Sequence, residues 1–343
     1  MSSASVPSSY VASTPPRHGR NMAAVIVLIP VLVALALWAF AWPAARTAPR
    51  DLPLGVAGSV TATAPIEKQL AQQNGAFEIH RYADEAAARD AIEDRTVYGA
   101  IVATGQGPKL LTASAASPLV AQLLQQSVAG QAPEGTNVTT VDVVPAPAED
   151  PRGAALTSSV LPMGLAGVAA GSIATLLGLR GFRAAGALTG TALFVGLVAA
   201  ALTHSWLGIL SGDWWVEAGA LSLSTLAVSG AVAGLAALVG PPGIGLGAFL
   251  VVLLGNPFSG ASSAPEMLPE PVGTIGQWLP PGAGASLLRS VSFFDGAAAT
   301  GPALTLTWWA VLGLGAVLLG DTLKRRRSAP IKTVTAREPA LVN

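Results

Sequence analysis

Long apolar segments without a charged residue are the feature of this sequence that most constrains its fold. Five of them cover residues 22–42, 160–179, 185–203, 218–239 and 303–320. Each is close to the ~20 residues that a helix, rising about 1.5 Å per residue, needs to cross roughly 30 Å of hydrocarbon. Charged residues make up only 11% of the chain, whereas soluble domains contain about 25%. The sequence therefore predicts a helical membrane protein and excludes an ordinary soluble enzyme.

The first apolar segment, residues 22–42, has two interpretations. Ala39-Phe40-Ala41 has small residues at the spacing of a signal-peptide cleavage site. The apolar part of a signal peptide is usually about 7–15 residues, however, and this segment is longer. Trp38 and Trp42 lie at its end, where interfacial aromatic residues are expected in a retained span. We therefore predict a membrane-spanning helix here, with cleavage as the alternative.

Residues 243–254 form a shorter apolar segment between Pro241-Pro242 and Pro257. It is shorter than the minimum of about 17 residues, so it is either a bent span or a re-entrant segment. Counting it as a span gives six spans with both termini in the cytoplasm. The cytoplasmic segments then hold ten Lys/Arg and two Asp/Glu, as the positive-inside rule requires. We therefore predict a multi-pass protein of the cell membrane, in a bacterium.

The predicted division of the chain follows from these spans. A cytoplasmic N-terminus at 1–21 and the first span at 22–42 precede an outside α/β domain at 43–158. A five-helix membrane domain at 159–320 and a basic cytoplasmic tail at 321–343 follow. The predicted fold class is thus an α-helical polytopic membrane protein with a small extracytoplasmic α/β domain between the first and second of six transmembrane helices.

The outside domain shows short apolar runs that alternate with helical patterns. Strands are predicted at 54–60, 77–82, 98–103, 109–113 and 140–144, and helices at 64–74, 84–95 and 117–130. Asp84 is a candidate N-cap, and Ser117-Pro118 combines a cap with proline at the first helical position. Residues 51–150 contain twelve acidic and five basic residues. Because many of these charges share one short helix, we interpret them as a solvated face rather than a cation site.

Three pairs of glycines at four-residue spacing are candidate helix-packing positions. They are Gly167 with Gly171, Gly186 with Gly190, and Gly230 with Gly234. In lipid, helices associate through close backbone approach, which glycine permits. Glycine is abundant in this chain, with 38 residues, so some pairs arise by chance. We expect one of the three pairs to be a true packing contact.

Residues 256–302, before the last span, are rich in proline but too apolar for a free loop. Val272, Ile275 and Leu279 repeat at helical spacing, and a second such pattern follows Pro280-Pro281. We predict two amphipathic helices at the outer membrane surface. Candidate interfacial or gating residues are Trp278, Pro280 and Arg289. Arg289, the only cation of this segment, is expected to pair with Asp295, Glu266 or Glu270, or to meet lipid phosphate.

The sequence contains none of the motifs that carry common chemistry. It has no P-loop, no nucleophile elbow and no cysteine, and its three histidines lack metal-ligand spacing. We predict that the protein is not an enzyme and has no cofactor, no metal site and no nucleic-acid partner. No ionisable residue lies in the middle of a predicted span, which disfavours proton-driven transport. Active transport would then need energy from another subunit.

Three segments, together with the order of the elements, give the sequence a resemblance to a known family. The segments are Leu52–Ala57, residues 98–102, and Trp278-Leu279-Pro280-Pro281 with Leu288-Arg289. Over nearly its whole length the chain resembles the YhgE/Pip-like group of type-2 ABC exporter permeases. The resemblance implies a permease half that dimerises with itself or a paralogue, with a substrate route at the interface and a separate cytoplasmic ATPase. The implied contact with that ATPase falls on Arg180, Phe182 and Arg183, between the second and third spans.

Two functions are therefore expected from the sequence. The first is a permease-like subunit that exports an amphiphilic or lipid-like molecule and is powered by a separate ATPase. The second is a non-transporting membrane protein whose outside domain binds a surface partner or organises an envelope complex. Recovery of a nucleotide-binding subunit with the purified protein would distinguish the first from the second.

Overall fold

A computed structural model describes residues 18–73, 75–105, 107–131 and 138–327. The structure is mostly helical, with one small sheet. It consists of a helical bundle and an α/β lobe, residues 52–142. The predictions for the N-terminal segment before His18 and for the basic tail after Arg327 lie outside the described residues.

The lobe is built on a five-stranded mixed sheet. The strands are β1 (Leu52–Ala57), β2 (Phe77–Tyr82), β3 (Gly99–Thr104), β4 (Gly107–Thr112) and β5 (Thr139–Asp142), in the order β2-β1-β3-β4-β5. β1 runs parallel to both of its neighbours, β3 and β4 are antiparallel, and β4 and β5 are parallel. β1 is buried along almost its whole length, as expected of a central strand covered on both faces.

Three helices cover this sheet: α2 (Val60–Ala71), α3 (Glu85–Glu93) and α4 (Pro118–Gln131). The backbone N–H of Ala87 donates to the Asp84 carboxylate at 2.9 Å, which caps α3. The N–H of Val120 donates to the Ser117 hydroxyl at 3.2 Å at the start of α4. Both predicted caps are confirmed, because each side chain accepts a bond from a backbone donor that the first helical turn leaves unpaired.

Five helices of the bundle are long and apolar enough to cross a membrane, judged by length and composition. They are α1 (His18–Ala45), α5 (Ala154–Leu176), α6 (Gly181–Ala200, continued as a π-helix over Ala201–Trp206), α7 (Trp214–Val239) and α11 (Thr300–Arg327). In α7, 61% of the most apolar window is buried, against 28% or less in the other four. α7 is therefore the centre of the bundle, and α5, α6 and α11 pack around it.

The sixth predicted span is a shorter element. α8 (Pro242–Ala248) continues as a π-helix over Phe249–Gly255. These 14 residues extend over about 21 Å at 1.5 Å per residue. The described residues thus contain five long candidate spans and this one short apolar helix.

The segment before the last span differs from the prediction of two surface helices. α9 (Val272–Trp278) and α10 (Pro280–Phe293) are present, but ten of the α10 residues are buried. Ile275, expected on a buried face, is 46% exposed. α10 packs between α7 and the lobe. A side chain at Gly284 would come within 2.9 Å of the Ser224 hydroxyl, so small residues allow this close packing and override the amphipathic pattern.

The two ends of the bundle are distinguished by their neighbours. Arg180, Gly240 and Gly320 line one cavity at the end away from the lobe, which we call the far end. At the opposite end, the lobe end, the backbone N–H of Ala48 after α1 donates to the Met267 carbonyl at 3.0 Å. The lobe contacts the bundle at this end, where Arg95 donates to the Ser286 carbonyl of α10.

Candidate functional site

Three side chains of the lobe and its connection form hydrogen bonds to α10 or to the turn at Pro265–Met267 before α9. Arg95, on the turn after α3, donates from Nη1 to the Ser286 carbonyl at 3.0 Å and to the Ser290 hydroxyl at 2.5 Å. The Tyr98 hydroxyl donates to the Glu266 carboxylate at 2.8 Å. Arg50 donates to the Met267 carbonyl at 3.0 Å. The lobe and the bundle are thus joined by polar contacts around a common space.

That space is a cavity of about 520 Å³ between the lobe and the bundle. We call it the headspace. Its polar lining comes from both parts of the molecule: Arg95, Tyr98, Glu266, Glu270, Thr274, Gln277, Ser286, Arg289 and Thr305. Trp278 and the beginning of α11 also line it. A cavity of this size accommodates a small polar ligand or the polar part of a larger one.

Arg289 is the most buried charged residue of the headspace. Only 7% of it is exposed, and its Nη2 donates to the Ala261 carbonyl at 2.5 Å. Its Nε has no hydrogen-bond partner, and no carboxylate of the described residues lies within ion-pair distance of it. The expected pairing with Asp295, Glu266 or Glu270 is therefore wrong. The reason is geometric, because the Glu266 carboxylate lies beside Tyr98 instead.

Burial in the headspace shifts the pKa of both Arg95 and Tyr98. Burial lowers the pKa of Arg95, while the nearby Tyr98 and Glu266 raise it. Arginine nevertheless stays protonated at neutral pH, because its ordinary pKa is above 12. Burial raises the pKa of Tyr98 far above its usual range, so its hydroxyl remains a neutral donor to Glu266. The headspace thus presents two cationic guanidinium groups and two carboxylates, of which Glu266 accepts the Tyr98 hydroxyl.

An apolar groove continues from the headspace along the bundle. It has a volume of about 530 Å³ and lies between α7 and α11. Trp278 and Thr305 line both the groove and the headspace. Trp278 is 74% exposed, and its carbonyl accepts a bond from Trp309 Nε1 at 2.8 Å. One continuous surface therefore changes from polar at the lobe to apolar beside the candidate spans.

The predicted interfacial residues take different positions around this surface. Trp278 lies at the junction of headspace and groove, as just described. Arg289 lines the headspace. Pro280 is buried at the start of α10 and lines a separate apolar pocket against α5 and α7. The structure therefore brings Trp278 and Arg289 to one cavity and leaves Pro280 outside it.

Two of the three glycine pairs lie at close helix contacts. A Cβ at Gly167 or Gly171 would come within 2.6 Å of α7 atoms. A Cβ at Gly234 would come within 2.7 Å of the Gly313 carbonyl of α11, and Gly230 is the fourth member of this contact, with its nearest atom at 3.6 Å.

The third glycine pair takes no part in helix contacts within the described chain. At Gly186 and Gly190 of α6, an added Cβ would meet no atom within 4 Å. The four-residue spacing is the same as in the other pairs, so spacing does not decide which helix face is covered. That depends on where α7 lies.

The predicted ATPase contact lies at the far end. Arg180, Phe182 and Arg183 are all exposed there, and Phe182 is 85% exposed. Leu177 beside this turn is also 72% exposed. These residues form an accessible apolar and basic surface, separated from the headspace by the length of the bundle.

A buried pair at the lobe end, Glu217 and His204, was not predicted from the sequence. Glu217 is fully buried in the first turn of α7. Its Oε2 lies 2.8 Å from His204 Nδ1 and its Oε1 accepts the Gly212 N–H at 2.9 Å. Thirteen residues separate the two side chains, so no local spacing indicated that they meet.

Comparison of the chain with protein-family models, curated proteins and solved structures gives no match. The resemblance to the YhgE/Pip-like group therefore stays a prediction. Within the described residues, no three His, Asp or Glu side chains are grouped as metal ligands would be. The candidate site is accordingly defined by its geometry, a charged headspace that opens onto an apolar groove.

Proposed function

We propose that the protein is a permease-like membrane subunit that moves an amphiphilic molecule, with its energy supplied by a separate ATPase as in type-2 ABC exporters. The observation that carries this proposal is the continuity of the headspace and the groove through Trp278 and Thr305. An amphiphile needs a polar site and an apolar site side by side, because transferring either part into the other environment is costly. The proposal includes the prediction, made from the sequence, that the protein is not an enzyme.

The proposal includes six membrane crossings. Gly243 packs against Leu235 of α7 at the far end, whereas Gly255 packs against Pro281. Leu254 packs in the cluster of Phe258 with Trp42, near the lobe end of α1. The α8 segment thus extends from the far end towards the lobe end. Its length of ~21 Å is less than the thickness of the hydrocarbon layer, and the turn that follows covers the remaining distance. His18 and Arg327 then lie on one side, which we assign to the cytoplasm of a bacterial cell by the positive-inside rule.

In this arrangement the lobe is extracytoplasmic and the far end faces the cytoplasm. The exposed Arg180, Phe182 and Arg183 would contact the ATPase, and a dimer with itself or a paralogue would complete the substrate route. The lateral groove gives a lipid-like molecule access from the bilayer. The headspace would hold its polar part beneath the lobe.

A second candidate function is supported by the hydrogen bonds between lobe and bundle. Arg95 with Ser286 and Ser290, and Tyr98 with Glu266, join the two parts directly. A lobe held in this way also suits a non-transporting membrane protein that presents a surface to a partner or organises an envelope complex. In that case the amphiphile site would hold a lipid without moving it.

Purification of the full-length protein from membranes of its own host separates these functions. For a permease we expect a nucleotide-binding subunit to be recovered in constant ratio, and Phe182→Glu to abolish its recovery. Val60→Glu is the matched control, since Val60 is an 83% exposed apolar residue on the lobe. Recovery of envelope proteins alone, unaffected by Phe182→Glu, would support the second function and contradict the first.

A further inference from the structure

The headspace contains a cation that the described chain does not neutralise. Arg289 is 7% exposed, its Nε has no partner, and the bond from Nη2 to the Ala261 carbonyl engages one of its five N–H donors. A buried charge is costly unless it is paired and hydrogen-bonded. Since no carboxylate lies within ion-pair distance, the geometry calls for an external anion.

A second guanidinium lines the same cavity. Arg95 uses Nη1 for both of its hydrogen bonds to α10, so its other N–H groups remain for a ligand. Its ion-pair partners are likewise absent among the described residues. Two guanidinium groups from different elements can share the oxygens of one tetrahedral anion, and the planar fork of arginine suits phosphate.

The two acidic residues of the headspace are placed so that they leave room for such an anion. Glu266 accepts the Tyr98 hydroxyl at 2.8 Å, and this bond holds its carboxylate beside Tyr98. Glu270 is exposed, where water screens it. Neither lies within ion-pair distance of Arg289 or Arg95.

We infer that the headspace binds the phosphate of a phosphate-bearing amphiphile, held by Arg289 and Arg95, while the hydrocarbon part lies in the Trp278–Thr305 groove. This inference rests on the proposed function, because it names the substrate class of the same site. The shared chemistry is a phosphate group next to an apolar tail. A free phosphate compound could reach the same arginines from water, so the experiment distinguishes the two sources.

Binding is measured with the full-length protein in detergent and three probes. Dioleoyl phosphatidic acid carries the phosphate and the chains, dioleoylglycerol carries the same chains without phosphate, and glycerol phosphate carries the phosphate without chains. We expect phosphatidic acid to bind at least about 10-fold more tightly than either of the others. One charge-assisted hydrogen bond is worth roughly this ratio or more.

Single substitutions show which residues contribute to the binding of phosphatidic acid. Arg289→Gln should weaken phosphatidic acid binding by about 10- to 100-fold. Arg81→Gln, at an exposed arginine that pairs with Glu67 and does not line the headspace, should leave it unchanged. Because Arg289 is buried, its variant could fail to fold. Thr274 is exposed at the rim of the headspace, so Thr274→Glu adds a repelling charge without disturbing the core. It should weaken binding at least several-fold relative to Thr274→Gln.

The outcomes separate the inference from the proposed function. If dioleoylglycerol binds as tightly as phosphatidic acid, and substitutions at positions 289 and 274 do not change the affinity, the phosphate inference is overturned while the amphiphile site stands. If glycerol phosphate binds with the same dependence on Arg289 and neither lipid binds more tightly, the phosphate site stands and the amphiphile function fails. Failure of all three probes to bind overturns the inference.

Discussion

Substitution of Gly171 by alanine tests the close contact between α5 and α7. The added Cβ would lie 2.6 Å from the Ser229 carbonyl and 2.9 Å from the Val232 Cβ. Both are parts of α7 that move only if the helices separate. In a membrane, where helices associate through van der Waals packing, such a separation loses contacts along the whole seam. We therefore expect Gly171→Ala to destabilise the protein although alanine favours a helix.

The magnitude follows from two opposing effects. Overpacking a tight contact costs about 1–3 kcal/mol, and replacing glycine by alanine within a helix gains about 1 kcal/mol. Gly190→Ala is the matched control, because a Cβ there meets nothing within 4 Å and only the gain applies. The free energy of unfolding should therefore be lower in Gly171→Ala than in Gly190→Ala by about 1–3 kcal/mol.

The assay is reversible unfolding of the full-length protein in mixed detergent micelles with increasing dodecyl sulfate, followed by tryptophan fluorescence. Both variants are compared with the wild type under one condition. Equal stability of Gly171→Ala and Gly190→Ala would refute the reasoning, because it would mean that α5 and α7 do not approach as closely as the structure has them. If the free energy of unfolding is lower than that of the wild type in both variants, the assay measures helix flexibility rather than packing.

The remaining predictions concern three other features. Glu217→Ala should lower the free energy of unfolding by about 1–3 kcal/mol in the same assay, since it leaves the partly buried Gly212 N–H unpaired; an unchanged midpoint would contradict this. Bonds from Lys109 and Arg89 lower the pKa of Glu85 from 4.5, so its contribution to lobe stability is present above that pH and is lost as pH falls through the lower folded pKa. The stability of the lobe, measured by hydrogen exchange corrected for the intrinsic exchange rate at each pH, should therefore fall less steeply on acidification in Glu85→Gln than in Glu93→Gln, and identical profiles would argue against the ion pair. On this cysteine-free background, an impermeant thiol reagent should label Ser262→Cys in intact cells and Arg180→Cys only after permeabilisation; the reverse pattern would invert the topology.

The sequence predicted the lobe element by element. The strand at Phe77–Tyr82 has the predicted bounds, and the other four predicted strands and three helices are present with ends shifted by a few residues. The two caps, Asp84 and Ser117, were also correct. These features are local, since alternation, turn residues and capping side chains act within a few residues of one another.

The candidate site was only partly predictable. Trp278 was singled out as an interfacial aromatic residue and Arg289 as the only cation of its segment, and both line the headspace. Arg95 and Tyr98 gave no signal, because each looks like an ordinary lobe residue until α10 packs beside it. The carboxylate partners expected for Arg289 were wrong for the same reason, since ion pairs between distant segments depend on their docking, whereas contact with lipid phosphate stays a prediction.

The sequence by itself determined the uncharged apolar helices and the alternating pattern of the lobe, because hydrophobic length and periodicity express preferences of single segments for lipid, core or water. Only the tertiary structure decided which glycine pairs touch a neighbour, that Glu217 is buried against His204, and that two arginines face one cavity. Such features arise where segments far apart in the chain meet, and the free energy of burying a charge depends on every group around it rather than on its place in the sequence.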